Sequence, residues 1–474
     1  MTDQAISVKD AKLSLGISPL AQLNLTSGPI APLILRMAIP TSVGYFFTVI
    51  YNVVDTYWAT KISDEAVAGL GVSFPIYLMM LALAMGLGMG TTVLVSHQVG
   101  AKNEAGAGET LVQALLLAGI ASLGLVAIGL FLMPSVFALL APTTEVAQAG
   151  LTYFTPIILF NFFFVAMFAL NSSLNAVGDT VAFSIVSIAT TFLNMALDPL
   201  FIYGWGPVPA MGLAGIGWAT VVSQALGLVF IFYRVSQTTL WAHMIFRGLR
   251  MQWNVIKQIL NQGVPSGINM GAISVGFILM LYFVKPYGTP ATAGFTAGLR
   301  IEQMALLPAF GLNTAMMALV GQNTGAQQLD RVLSSFRQTL SLGLIILTLG
   351  GVLIFAFAPQ LVSFFGLSGE SEEKAVTYLR IVAFEYPALC FISLGGGFMQ
   401  ALKHPRVTMV ITIMRLSLMP MIAMPFFATY LGYGFEGVWY GVLFGSFLFA
   451  IVTILAVNYV SRKDLGFQAI GFGR

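Results

Sequence analysis

Twelve stretches of this 474-residue chain are long and apolar enough, at about 20 residues or more, for a helix to cross the hydrocarbon of a bilayer. No other feature narrows the fold so far. Inside lipid every backbone N–H and C=O must be satisfied by the chain itself, and long apolar runs do that as helices. The expected spans are 33–59, 67–96, 111–133, 151–175, 181–204 and 211–236, then 259–284, 292–322, 336–358, 377–402, 407–430 and 434–460. Charged residues make up only 8% of the chain, whereas a soluble domain carries roughly a quarter. On such a chain a net charge of +3 says nothing about nucleic acid. A single cysteine, Cys390, excludes an intramolecular disulfide framework. Residues 1–30 lack a compact apolar region with a cleavage site and read as a tail, not a signal peptide.

Lys and Arg set the orientation. With the N-terminus inside, the cytoplasmic segments hold fifteen: Lys9, Lys12, Arg36, Lys102, Arg234, Arg247, Arg250, Lys257, Arg331, Arg337, Lys403, Arg406, Arg462, Lys463 and Arg474. The opposite side holds four: Lys61, Lys285, Lys374 and Arg380. Both termini are therefore expected in the cytoplasm, with the chain crossing the plasma (inner) membrane repeatedly. The longest cytoplasmic connection, with its basic amphipathic stretch "WAHMIFRGLRMQWNVIKQ", is expected to lie along the membrane surface.

The two blocks of six resemble each other. "VSHQVGAKNEAGAGETL" at 95–111 echoes "VGQNTGAQQLDRVLSSF" at 320–336, and Gly100 falls on Gly325, an offset of 225. Pro40 falls on Pro265 at the same offset, and "LDPLF" at 197–201 falls on "AMPFF" at 423–427. Six is even, so both copies enter the membrane in one direction, related by a pseudo-twofold axis along its normal. The expected fold is an all-α membrane protein of twelve transmembrane helices in two pseudo-twofold-related six-helix lobes. The expected divisions are a tail at 1–32, an N-lobe at 33–236, a connecting segment at 237–258, a C-lobe at 259–460 and a tail at 461–474.

The halves differ where charge enters lipid. Asp55 corresponds to Met280 and Asp198 to Met424. An acid needed for the shared fold would occur in both halves, and an intramembrane acid is costly, so these two point to function. Tyr51 and Asp55 lie four apart in span 1, as do Asn194 and Asp198 in span 5 and Asn171 and Asn175 in span 4, so each pair shares a helix face. Tyr153 and Thr220 add polar groups on spans 4 and 6. Pro199, beside Asp198, and Pro40 lack an N–H and favour bends. Plainer readings stand beside these: Asp198 as the end of a helix, Asp55 as an interfacial residue, the asparagines as interhelical hydrogen bonds, the tyrosines as interface-belt residues.

Other chemistries have no motif. No G-x-x-x-x-G-K-[ST] loop is present. The spaced glycines of "GLGMGTT" at 86–92 lie within a span, where small residues allow close packing. His97, His243 and His404 are scattered near the cytoplasmic ends, with no metal cluster or triad. No enzyme activity and no cofactor are expected.

"YNVVDTYWAT" (51–60), "NAVGDT" (175–180), "LNMALDPLFIYG" (193–204) and "GLAGIGWATVVSQ" (212–224) resemble the multidrug and toxic compound extrusion (MATE) family, in its DNA-damage-inducible-like branch, over about residues 30–460. The resemblance implies two lobes in a V around a central cavity. It also implies antiport, cationic drugs leaving as protons or sodium ions enter. Carried over residue by residue, the branch's cation site falls on Asp55, Asn171, Asn194, Asp198 and Thr220, with Tyr51, Tyr153 and Pro40 in support. Another branch places acids on spans 7 and 10, where this chain has Ile273 and Leu389. Glu302 is read as paired within the protein or lining the cavity, Glu385 and Glu436 as solvated, and Arg415 as snorkelling from the inner end of span 11.

The resulting expectation is a cation-coupled exporter of cationic amphiphilic compounds, driven by protons and acting as a monomer in the lipid bilayer. Burial favours the neutral form of a carboxyl, and a second carboxyl nearby does so further, so a close pair can exchange a proton for a drug cation. The rivals are sodium coupling, since hard cations prefer oxygen ligands, flipping of lipid-linked headgroups, and a receptor that transports nothing.

Overall fold

A computed structural model describes residues 23–244, 250–364 and 366–470. Lys9, Lys12, Arg247, Arg474 and most of the expected N-terminal tail lie outside the described residues, as do residues 245–249 of the connecting segment. The chain is helical almost throughout. Among the described residues the one extended pairing is an isolated bridge between Trp205 and Val208.

In the first half, spans 1 to 3 are Ile30–Thr60, Asp64–Gly100 and Glu104–Leu140. Span 4 is two helices, Thr144–Leu159 and Phe162–Ala176, meeting at 51°. Spans 5 and 6 are Val181–Tyr203 and Leu213–Ser236. A short helix, Thr239–His243, opens the connecting segment, and span 7 already begins within it, as Trp253–Val284. Span 8 is Gly288–Ala305 followed by Leu307–Gly325, and span 9 is Leu329–Phe364. Span 10 joins Glu370–Val382 to Tyr386–Ala401. Span 11 joins Pro405–Ile413 and Met419–Pro425 through π-helical turns at Met414–Leu418 and Phe426–Tyr430, and span 12 is Gly434–Leu465.

Ten described segments are long and apolar enough to cross a membrane, and the bent span 4 makes eleven. One of the ten, Trp253–Gly325, has 73 residues. As a straight helix it would run about 110 Å, against a hydrocarbon core of about 30 Å. It turns back at Lys285–Tyr287, where Gly288 takes φ +91, a left-handed value that suits glycine. It therefore holds spans 7 and 8, and the total is the twelve expected.

Several helices outrun their apolar stretches. The side chains of Ser63, Asn103 and Thr143 accept from the N–H groups of Ala66, Gly106 and Val146 at 3.1, 2.9 and 3.3 Å, starting spans 2, 3 and 4 in polar sequence. The bend in span 4 follows Pro156, which has no N–H to give. Asn161 fixes it there, its Nδ2 donating to the carbonyls of Ile158 (2.6 Å) and Ser122 (3.2 Å). Pro40 and Pro199 lie inside helices that continue past them, and the Pro40 carbonyl accepts from Ser184 Oγ.

Both terminal segments dock beside the start of span 9. Arg331 donates to the carbonyls of Leu25, Ser27 and Gly28, and Arg337 to those of Gln468 and Ala469, so the first and last described segments share one side of the helical bundle. The lobes meet in the half nearer that side. A Cβ on Gly311 of span 8 would lie 2.3 Å from the Ala38 carbonyl of span 1. A Cβ on Gly86 or Gly90 of span 2 would lie 2.6 or 2.8 Å from the carbonyls of Gly263 or Ile259 in span 7. Further out, Phe74 and Met79 on span 2 and Ile278 and Tyr282 on span 7 are exposed, and the lobes diverge.

Candidate functional site

Span 1 carries Asp55 about one turn before its C-terminal end, and span 5 carries Asp198 in the same place in its own helix. Both are buried, at 3% and 0% exposure. Spans 1 and 5, which carry them, pack side by side. Tyr153 Oη, from the first piece of span 4, donates to Asp55 Oδ2 at 3.2 Å, and Thr220 Oγ1, from span 6, donates to the same oxygen at 3.4 Å. Asn194 Nδ2 donates to Asp198 Oδ1 at 3.4 Å. Glycine makes room for the cluster: a Cβ on Gly217 of span 6 would lie 2.3 Å from the Tyr153 carbonyl. Asp55 Oδ1, Asp198 Oδ2, Asn194 Oδ1 and the Tyr51 hydroxyl are buried with no hydrogen-bond partner. Among the described residues no Lys, Arg or His pairs with either aspartate. Two buried acids thus lie in one lobe with hydroxyl and amide donors around them and, among the described residues, no counter-cation.

Asn171 and Asn175 lie elsewhere. They sit on the second piece of span 4, beyond the 51° bend, and line a cavity between the lobes with Tyr45, Phe168, Phe183 and Phe310. Their Oδ1 atoms are buried and unpartnered. The lining also includes Met85, Met89, Met317 and Asn313 from the two lobes, and carries no Lys, Arg, Asp or Glu.

The family model described as MatE matches residues 40–200 and again 265–425, two copies at the offset of 225 that the internal repeat shows. The chain belongs to the MatE family. MatE proteins are membrane transporters, not enzymes. A "Probable multidrug resistance protein NorM" of Thermotoga maritima is 24% identical over 86% of this chain and 88% of its own length. A protein of Shewanella oneidensis named "FAD transporter" is 25% identical over 83% and 87%. The Bacillus subtilis "Probable multidrug resistance protein YoeA" is 29% identical over 68% and 70%. A crystal structure of MATE in complex with MaL6 superposes with a TM-score of 0.87 at 24% identity, over 94% of this chain and 99% of that one. An outward-facing MATE transporter of the MOP superfamily superposes with 0.85 at 24%, over 94% and 98%. The V-shaped twelve-helix MATE fold is therefore the fold of this chain.

The second lobe of this MatE chain holds a polar cluster of another kind. Arg415 Nη2 donates to Glu385 Oε1 at 2.6 Å and Arg415 Nε to Ser446 Oγ at 3.2 Å, while Ser446 Oγ donates to Glu385 Oε1 at 2.5 Å. Tyr378 donates to Glu302. Glu385 is 3% exposed. It is not solvated, and Arg415 does not snorkel out, as their positions near span ends suggest. Both lie at breaks in regular helix, Glu385 in the short 3-10 turn Ala383–Glu385 and Arg415 in the π turn Met414–Leu418. Glu302 is paired within the protein. Glu436 is exposed, as expected.

Tyr153 offers a direct check on the N-lobe cluster. Tyr153→Phe removes one of the two donors to Asp55 and no packing volume. Transport is expected to weaken while melting temperature changes little; a rate equal to the native one would show that this hydrogen bond plays no part.

Proposed function

We propose that this chain is a secondary active multidrug antiporter that exports cationic amphiphilic compounds in exchange for protons. The observation that carries the reading is the pair of buried carboxyls, Asp55 and Asp198, with no basic partner among the described residues. An ionised acid in an apolar interior costs several kcal/mol, so the site demands a cation from outside. A proton arriving from the far side neutralises it, and a drug cation leaving by the same route replaces the proton it gives up. Tyr51, Tyr153, Asn194 and Thr220 orient and solvate the acids in either state. The aromatic cavity between the lobes, with Asn171 and Asn175, receives the cargo, whose positive charge can rest on ring faces. That lining has no Lys or Arg, which argues against a phosphate-bearing cargo and hence against a headgroup flippase.

In this reading the protein is a monomer of the plasma (inner) membrane with both termini cytoplasmic. The lobes, closed on the side of the termini, are then open to the outside. A second reading is favoured by one observation: the unpaired oxygens Asp55 Oδ1, Asn194 Oδ1 and Asp198 Oδ2 would suit sodium, a hard cation that prefers oxygen ligands.

The deciding experiment is export of a fluorescent cationic drug by energised vesicles, with proton and sodium gradients imposed separately. The expected result is export driven by the proton gradient alone, with protons released from detergent-solubilised protein when drug is added in sodium-free buffer. A strict sodium requirement with no pH dependence would assign the site to sodium.

A further inference from the structure

Among the hydrogen bonds that cross between the lobes in the described residues, two are related to each other by the repeat. His97, near the end of span 2, places Nε2 2.8 Å from the carbonyl of Ala401, the last residue of span 10. Gln322, exactly one repeat of 225 residues on and near the end of span 8, donates through Nε2 to the carbonyl of Ala176, the last residue of span 4, at 2.7 Å. Ala176 and Ala401 are themselves 225 apart. Each lobe offers one donor side chain and one carbonyl from a helix's last turn, a group its own helix cannot satisfy. The acceptor at Ala401 is a carbonyl, so His97 Nε2 carries the proton and donates.

The backbones beneath these bonds approach as closely as glycine permits. A Cβ on Gly100 would lie 1.9 Å from the Gln322 carbonyl oxygen, and one on Gly325, its repeat counterpart, 2.1 Å from that of His97. A Cβ on Gly321 would lie 2.0 Å from Ser96 Oγ, and these two positions are again 225 apart. The residues next to the clasped carbonyl and along the same helix, Asn175 and Met317, line the cavity between the lobes. The crossing bonds therefore form the floor of that cavity on the side of the termini.

We propose that His97 and Gln322 form a two-point clasp that seals the lobes on the side of the termini, and that both bonds release together in each transport cycle. The proposal rests on the reading that the protein alternates between two openings. Each side chain reaches its acceptor across the lobe boundary. Because one pseudo-twofold axis relates the bonds, a rotation that breaks one breaks the other. The glycines set how far the lobes close, and the two side chains set how strongly they stay closed.

The test uses the full chain in lipid nanodiscs with spin labels at Ala105 and Asp330. Both are exposed, and they are 225 residues apart on opposite lobes; Cys390 is buried and is left in place. Native protein is expected to give a short-distance population. The double variant His97→Ala/Gln322→Ala is expected to add a longer population absent from the native protein, and Gly100→Ala the same by steric means. His97→Gln is expected to keep the native distribution, since glutamine already plays this part in the other half. An unchanged distribution in the double alanine variant, or a shift in His97→Gln as large as in His97→Ala, overturns the clasp. Should the double variant not run as a single species on gel filtration, Gln322→Ala is read by the same measure, and unchanged distances there overturn it equally. The distances do not depend on what is carried. Lengthened distances in a protein that exports no compound leave the clasp standing and remove the antiporter reading; native distances with export intact do the reverse.

Discussion

Asp55→Asn is expected to fold and reach the membrane at native levels, yet to carry no drug against a gradient. The side chain keeps its shape. Tyr153 and Thr220, which donate to Asp55 Oδ2, can donate to the amide oxygen instead. No ion pair is lost, because Asp55 has none among the described residues. What disappears is the charge that has to be neutralised from outside, and with it the exchange of one cation for another. Export by vesicles bearing equal amounts of native and variant protein is the measurement, with the variant expected at the level of vesicles that lack the protein. Native drug resistance in cells expressing the variant would remove Asp55 from the mechanism. The repeat supplies a natural control: Met280 stands at the equivalent place in the second half, so the shared helix packing does not need an acid there.

The parts of this molecule legible in the sequence are those written along single helices. Apolar length gave the number of crossings, and the repeat gave the pairing of lobes. The contrast of Asp55 with Met280, and of Asp198 with Met424, singled out two acids that the fold buries on neighbouring helices of one lobe. What spacing cannot report is which faces of different helices meet. Asn171 and Tyr153 share span 4, but the 51° bend between them sends one toward the cavity and the other toward Asp55. The only local sign of that break was Pro156 with Asn161 after it. Glu385 and Arg415 lie thirty residues apart on neighbouring spans, and each alone reads as a charge near a helix end. His97 reads as one of three scattered histidines until the offset of 225 brings it onto Gln322.

The second lobe yields the opposite expectation from the first. Arg415→Met should destabilise the protein strongly, because it leaves Glu385, 3% exposed, with Ser446 as its remaining hydrogen-bond donor and no positive charge. Breaking a buried ion pair by removing one partner costs about 3–5 kcal/mol, a large part of the roughly 5–15 kcal/mol that holds a typical domain together. Removing both charges is a different matter. In Glu385→Gln/Arg415→Met the ion pair goes as a unit, Ser446 can still donate to the amide oxygen, Glu302 keeps Tyr378 as its donor, and a methionine fills much of the guanidinium's space. Much of the lost stability should therefore return in the double variant, and the coupling between the two changes should exceed about 1 kcal/mol, as for residues in one network. Asp198→Asn serves as the contrast in the first lobe, where no counter-charge is lost and melting should shift little. Thermal unfolding of the native protein, Arg415→Met, Glu385→Gln, the double variant and Asp198→Asn in one detergent decides the matter. If Arg415→Met melts with the native protein, the pair is hydrated in the membrane and is not the internal substitute for an external cation that its geometry indicates. If it melts low and the double variant recovers, the second lobe holds a cation for Glu385 within its own fold, whereas among the described residues the first offers none to Asp55 or Asp198.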